Sequence, residues 1–269
     1  MTIRRKRRSK SSPTFSNRCL LFDGRHRSTY KQTFNMKSGT KALSLFSLLI
    51  VGAIANPSLH AAEWKENLKA EDTSFSSTGR NPFWVLEPGY QLVLDGKEDK
   101  KSVHLTITVL EETKKVDNVE TRVVEERETE NGQLVEVARN YFALGNQTHT
   151  LYYFGEDVDM YKNGKLANHE GSWLSGIDGA KYGIMIPGTA KSGDKYYQEN
   201  APGKAMDRGE NLSMDTTVKT PAGDFKGCLK VRETSPLEKD TVEQKIYAPD
   251  IGIVQDDTLK LVSHGFVKK

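Results

Sequence analysis

Two cysteines in 269 residues exclude a disulfide-stapled scaffold, and contents of 22 glycines and 9 prolines exclude a collagen-like or low-complexity chain. Cys19 falls in the basic extension described below, so Cys228 is the single thiol of the body and no internal disulfide can form there. Its setting, Phe225-Lys226-Gly227-Cys228-Leu229-Lys230-Val231, reads as a small buried hydrophobe on a strand rather than as a nucleophile. Catalytic and cofactor patterns are missing: there is no P-loop, no Gly-x-Gly-x-x-Gly after a strand, no Gly-x-Ser-x-Gly, no His-Glu-x-x-His and no Cys-x-x-Cys. The histidines, at 26, 60, 104, 149, 169 and 264, lack zinc-ligand spacing. No apolar run is long enough for a permanent membrane span: the uncharged run 42–55 has 14 residues, against the roughly 17 to 25 a spanning helix needs.

What is there divides at residue 36. Residues 1–35 carry 10 Lys/Arg against the one acid Asp23, a basic polar extension. It admits three readings: a translation start placed too far upstream, an extended basic region ahead of a signal, or a functional basic arm. Residues 36–61 then follow the secretory pattern of a short basic start, an apolar run, the helix-breaking Asn56-Pro57 and small residues, with cleavage expected after Ala61 or Ala62. The net charge of +3 is therefore misleading. From Ala62 onward 27 basic residues face 35 acidic ones, and an acidic body argues against a nucleic-acid partner. The expected localisation is periplasmic or secreted.

Residues 62–269 suit a single all-β domain. Val103, Leu105, Ile107 and Val109 alternate with polar residues at the strand period. Asn131-Gly132 and Asn163-Gly164 predict two-residue type I′ hairpins, the first setting Arg127 opposite Glu136. Pro221-Ala222-Gly223 predicts a third hairpin with Gly223 at positive φ. Further strands are expected over 242–247, 251–254 and 258–262, and the glycine-rich stretch 171–209 reads as long loops. The fold class is all-β: one antiparallel domain, a curved sheet or half-barrel built from consecutive hairpins.

A register counted from Asn163-Gly164 sets Asp157 opposite Glu170 and Asp159 opposite Asn168, on one side of the ribbon. Facing carboxylates destabilise a sheet unless neutralised, so Asp157, Asp159, Asn168 and Glu170 form a candidate calcium site, the alternative being a solvated face softened by Lys162 or Lys165. The same register pairs Phe154 with Trp173, Val158 with His169 and Met160 with Ala167, and makes His169 a hydrogen-bonded side chain. Trp84, Tyr152 and Trp173 read as core before they read as a pocket for an apolar or sugar ligand.

The segments Tyr153-Phe154-Gly155-Glu156-Asp157, His169-Glu170-Gly171-Ser172-Trp173, Thr220-Pro221-Ala222-Gly223-Asp224-Phe225 and Tyr247-Ala248-Pro249-Asp250-Ile251-Gly252 carry a resemblance. Together they resemble a family of exported bacterial β-rich proteins of unassigned function, itself similar to the curved half-barrels of lipoprotein carriers. The resemblance implies an antiparallel β fold and supplies no catalytic residue. At 144–150, Leu-Gly-Asn-Gln-Thr-His-Thr departs from the acidic turn many members carry there. The function expected is non-catalytic binding of an unidentified small or apolar ligand in the cell envelope. The alternatives are an envelope hydrolase using the carboxylates of the 156–170 hairpin and a purely structural envelope protein.

Overall fold

Runs that alternate apolar and polar residues bury one face each, and here they become the strands of one large sheet. The computed structural model describes Trp64 and residues 72–267, so the basic extension 1–35, the signal segment 36–61 and its cleavage point lie outside the described residues. The strands are β1 (Phe75–Ser76), β2 (Arg80–Asn81), β3 (Trp84–Val85), β4 (Tyr90–Glu98), β5 (Lys101–Val116), β6 (Val119–Glu130), β7 (Gln133–Gly145), β8 (Leu151–Lys162) and β9 (Lys165–Asn168). There follow β10 (Trp173–Leu174), β11 (Lys181–Ile186), β12 (Lys195–Tyr197), β13 (Glu199–Asn200), β14 (Arg208–Thr220), β15 (Gly223–Ser235), β16 (Glu238–Ala248), β17 (Gly252–Asp256) and β18 (Leu259–Phe266). No helix occurs among the described residues.

The main sheet is antiparallel and runs β12-β14-β15-β16-β17-β18-β4-β5-β6-β7-β8-β11-β13, so its two ends are strands separated in sequence by Gln198 alone. The sheet thus comes back almost to its own edge and is nearly closed into a barrel. This seam lies within 171–209, the stretch expected as long loops, and β10 to β13 correct that expectation. One glycine there serves close approach, since a Cβ on Gly183 would stand 2.2 Å from the Gln198 carbonyl oxygen, whereas Gly176, Gly179, Gly193 and Gly203 take positive φ in the turns between the strands. The amides of Gln198 and Glu199 both donate to the Asp207 carbonyl at 2.8 and 3.1 Å, tying the seam together.

Both Asn-Gly turns form with the expected positive φ, 50° and 77° at Asn131-Gly132, 54° and 71° at Asn163-Gly164. The third hairpin turns on Pro221 and Ala222, with Gly223, at φ 142°, as the first residue of β15. Register departs from a simple count at bulges. Leu134 faces Thr129 as counted, but the next pair is Glu136 with Glu128, so Val135 is an extra residue and Arg127 faces Val137 instead of Glu136. On β9, Ala167 is skipped, which sets Asn168 opposite Met160 instead of Asp159. Trp173 pairs with Glu156, not Phe154. A bulge adds one residue to one strand and reverses which face the following residues present.

The bulge in β7 is needed because the row Asn140, Phe142 and Leu144 must face the core beyond a turn that would otherwise point it outward. In β8, Asn140 pairs with Glu156 and Phe142 with Tyr153, so the irregularity spans Phe154-Gly155. It keeps Tyr153 and Glu156 on the inner face while Asp157 and Asp159 turn outward. The main core packs Leu92, Leu94, Leu105, Ile107, Val124, Phe142 and Tyr153 against Trp84 and Leu86 of the β2–β3 segment. A smaller cluster on the outside of β6 to β8 holds Val123, Tyr141, Tyr152 and Phe154 under Phe75. Outward positions of β4 and β5 include Asp95, Lys97, His104 and Thr106, unlike the apolar belt of a lipid-facing barrel, and no described helix is long and apolar enough to cross a membrane.

Gly155 is the position that the bulge cannot change: it sits at φ 128°, and a Cβ would lie 2.3 Å from the Trp173 carbonyl oxygen. Gly155→Ala should therefore cost about 2 kcal/mol or more, read as a lower midpoint in denaturant unfolding. Gly132→Ala is the comparison, since no atom lies within 4 Å of a Cβ there and strain at φ 77° is the one cost. Equal losses for the two variants would contradict the bulge.

Candidate functional site

Register carries the inward row from strand to strand. Leu105, Ile107 and Val109 of β5 pair with Glu128, Glu126 and Val124 of β6, and the first three are core residues, so Glu126 and Glu128 face inward too. Glu136 faces Glu128 across the β7 bulge, and Glu156 faces Asn140. On the other wall Lys245 pairs with Val231 and Asp256, and Glu233 with Glu243. The interior therefore has two halves: an apolar one around Trp84, and an acidic one that lies toward the Asn131-Gly132 turn.

Two bonded groups organise the acidic half. Tyr153 donates its hydroxyl to Asn140 Oδ1 at 2.5 Å, and Asn140 Nδ2 reaches Glu126 Oε1 at 3.2 Å. Across from them Lys245 Nζ lies 2.7 Å from Glu233 Oε2 and 3.8 Å from Glu243, while Gln198 Nε2 donates to Glu233 Oε1 at 2.7 Å. Tyr196 donates to Asn211 Oδ1 at 2.8 Å. Burial pushes the Glu126 carboxyl up to about 8, and the Glu243 carboxyl to about 8 in spite of Lys245. Burial, with Glu199 and Glu136 facing it, holds Glu156 well above the carboxylate range. Burial works against the Lys245 ammonium, but Glu233, Asp256 and Glu243 together hold its pKa well above the usual lysine value.

Several fully buried polar atoms here have no hydrogen-bond partner among the described residues: Tyr247 Oη, Asn211 Nδ2 and Gln198 Oε1. An orphaned buried polar group costs about 1 to 3 kcal/mol, so three in one region mark a place where something else supplies the partner.

The hairpin residues singled out by sequence lie elsewhere, on the outside. Asp157 Oδ2 accepts from Tyr141 Oη at 2.5 Å and Lys114 Nζ at 2.8 Å; Asp159 is 3.4 Å from Arg139 and 2.9 Å from His169 Nδ1. Asn168 Oδ1 accepts the Glu170 amide, an Asx turn, and the one-residue shift leaves it opposite Met160. Lys114 of β5 and Arg139 of β7, which neighbours β8, supply the neutralising charge, where the sequence offered Lys162 and Lys165. Among the described residues no group of three or more His, Cys, Asp or Glu is arranged to hold a metal. His169 also contacts the Val158 carbonyl, as a hydrogen-bonded side chain should. Trp84 and Trp173 are core, packing on Phe142 and Tyr153, whereas Tyr152 faces outward beside Phe75, so the three line no common pocket. Cys228 is fully buried, and burial raises its thiol pKa, in keeping with an inert side chain.

Two other places invite a site. In a cleft of about 1170 Å³ between Arg80, His149, Lys191 and Lys195, Arg80 is bidentate to Glu87, and Asn81 holds the carbonyls of His149, Ile186 and Pro187. On the open outer sheet Asp95, His104 and Thr106 line up in the order of a catalytic relay, at 2.6 and 3.2 Å. The surrounding strand amides are committed to the sheet ladder, which leaves no donors for an oxyanion. Comparison with protein families, curated proteins and solved structures returns no match for this chain.

The interior was hidden in the sequence because Glu125-Glu126-Arg127-Glu128 is polar at every position and reads as a solvated strand. The available signal was that polarity on both faces of a strand in the middle of an apolar sheet requires one polar face to be interior. Two outcomes follow. A carboxyl whose folded pKa exceeds its unfolded value near 4.5 holds its proton longer in the native state, so its contribution to stability is full below about 4.5 and is lost as pH rises to about 8. Unfolding free energy should fall across that window, by up to about 1.4 kcal/mol per pH unit for each such group, and Glu126→Gln should flatten the slope. On the outer face, Lys114→Met strips Asp157 of its ammonium, so any rise in melting temperature with millimolar calcium should be larger in that variant than in wild type; an equal response would place calcium away from the hairpin.

Proposed function

We propose that this is an exported, non-catalytic binding protein whose barrel interior takes up a small ligand. The observation that carries the reading is the set of orphaned buried atoms, Tyr247 Oη, Asn211 Nδ2 and Gln198 Oε1, in a charged interior. A barrel with a purely structural role gains nothing from that arrangement, since apolar side chains of the same volume would cost less. The leader at 36–61 and the resemblance to exported β-rich proteins support the envelope as its place of work. The ligand expected from sequence was small or apolar; the apolar half is filled by Trp84, Phe142 and their neighbours, which favours the polar half as the receiving end.

A hydrolase built on the hairpin carboxylates is disfavoured by geometry. Glu156, whose carboxyl is raised, faces the interior, whereas Asp157 and Asp159 face outward and Lys114 and Tyr141 hold Asp157 below the usual range against burial, so a raised acid and an ionised base do not share one side of the hairpin.

Native mass spectrometry of the protein recovered from the producing cells tests the binding reading. A non-covalent small-molecule adduct should be present on wild type and depleted on Tyr247→Phe, whose melting temperature without ligand should not fall, because the lost hydroxyl makes no bond in the described structure. Bare masses for both proteins would instead favour a structural role.

A further inference from the structure

The interior already displays the chemistry it accommodates. Lys245 is an aliphatic chain ending in an ammonium, fully buried, with carboxylates of Glu233 and Glu243 around its tip. The other buried cation among the described residues, Arg122, is occupied elsewhere, donating to the carbonyls of Ser77 and Glu111. Beyond the Lys245 group, Glu126 and Glu156 stand on β6 and β8, joined through Asn140 and Tyr153. Acceptors therefore extend around the wall over several strands instead of converging on one point.

Resting on the reading of the interior as a binding site, we propose that its ligand is an elongated aliphatic polyamine, held by ammonium groups at the Glu126–Glu156 pair and beside Glu233, Gln198 and Tyr247. Each terminal ammonium brings three N–H donors and each internal secondary ammonium two to a lining rich in acceptors, and the orphaned Gln198 Oε1 and Tyr247 Oη are both able to accept. Methylene spacers would meet the apolar side chains that adjoin the acidic positions: Leu105 pairs with Glu128, Val124 stands two residues from Glu126 on β6, and Val231 two residues from Glu233 on β15. A compact metal ion fits less well, because no three carboxylates among the described residues come together for it.

Ligand uptake should release protons. Glu126 faces Glu136, Asp256 and Lys245; Glu156 faces Glu136 and Glu199; Glu243 faces Lys245, Glu233, Asp256 and Asp257. An entering ammonium favours the ionised form of these carboxyls, and those that hold a proton near neutral pH give it up.

Calorimetric titration with spermine tests the assignment, using magnesium and calcium chloride at matched ionic strength, and two buffers of different ionisation enthalpy to count protons. We expect one spermine per chain, at least tenfold tighter than either metal, with net proton release at pH 7. Glu126→Gln keeps an acceptor for Asn140 and should weaken binding at least fivefold, as should Glu156→Gln, whereas Glu112→Gln on the exposed outer face should not. Binding that is equal in the interior and surface variants, metal binding as tight as spermine, or no proton release would overturn the proposal. Should the interior variants fail to fold, stoichiometry and proton release on wild type decide it. A native adduct that spermine neither displaces nor resembles in charge refutes the polyamine alone; no adduct and no spermine binding refutes the binding site as well.

Discussion

The structure depends on a conflict between turn geometry and hydrophobic register, resolved by bulges. Asn131-Gly132 fixes a two-residue turn and with it the pairing of the first residues of β6 and β7. Continued without interruption, that pairing would point Phe142 and Leu144 away from the main core. Burying each of those side chains is worth about 1.5 to 3 kcal/mol, far more than the ladder bonds disturbed by one extra residue, so Val135 is extruded and the row turns inward. The same shift carries Glu136 inside. In β8 the break at Phe154-Gly155 sends Asp157 and Asp159 out to Lys114 and Arg139 and turns Glu156 in. The acidic interior is thus a consequence of how the core is brought into register.

Burying carboxylates is costly, and the protein meets the cost in two ways. One is neutralisation by proton: the raised Glu126, Glu156 and Glu243 carboxyls can stay uncharged near neutral pH. The other is neutralisation by cation, through Lys245. Neither removes the orphaned polar atoms near Tyr247, which is why the interior is better suited to receiving a ligand than to stabilising the fold. Among the described residues the outer cleft and the Asp95-His104-Thr106 line hold no such orphaned buried side-chain atom.

Much of the fold was legible in the sequence for local reasons. Alternation in 103–109 and the Asn-Gly dipeptides depend on neighbours alone, and both appear as strands and type I′ turns. Closure of the sheet was not legible, because β12 and β13 are two or three residues long, too short to show alternation, and each pairs past an intervening strand, β12 with β14 and β13 with β11. The hairpin cluster failed to assemble as counted because Ala167 is skipped on the exposed strand β9, which then ends at Asn168, a shift that the turn dipeptide does not encode. The interior carboxylates were missed for the reason that makes them unusual: glutamates on strands normally face water, and only the register across five neighbouring strands shows that these do not.

The central claim is that carboxylates face the barrel interior and are held there above their ordinary pKa. Carbon-detected NMR of glutamate side-chain carboxyls, titrated from pH 4 to 10, measures this directly, with Glu126→Gln providing the assignment. The account predicts a resonance that titrates near 8 in wild type and is absent from the variant. Glutamate carboxyls that all titrate below about 5 would contradict it.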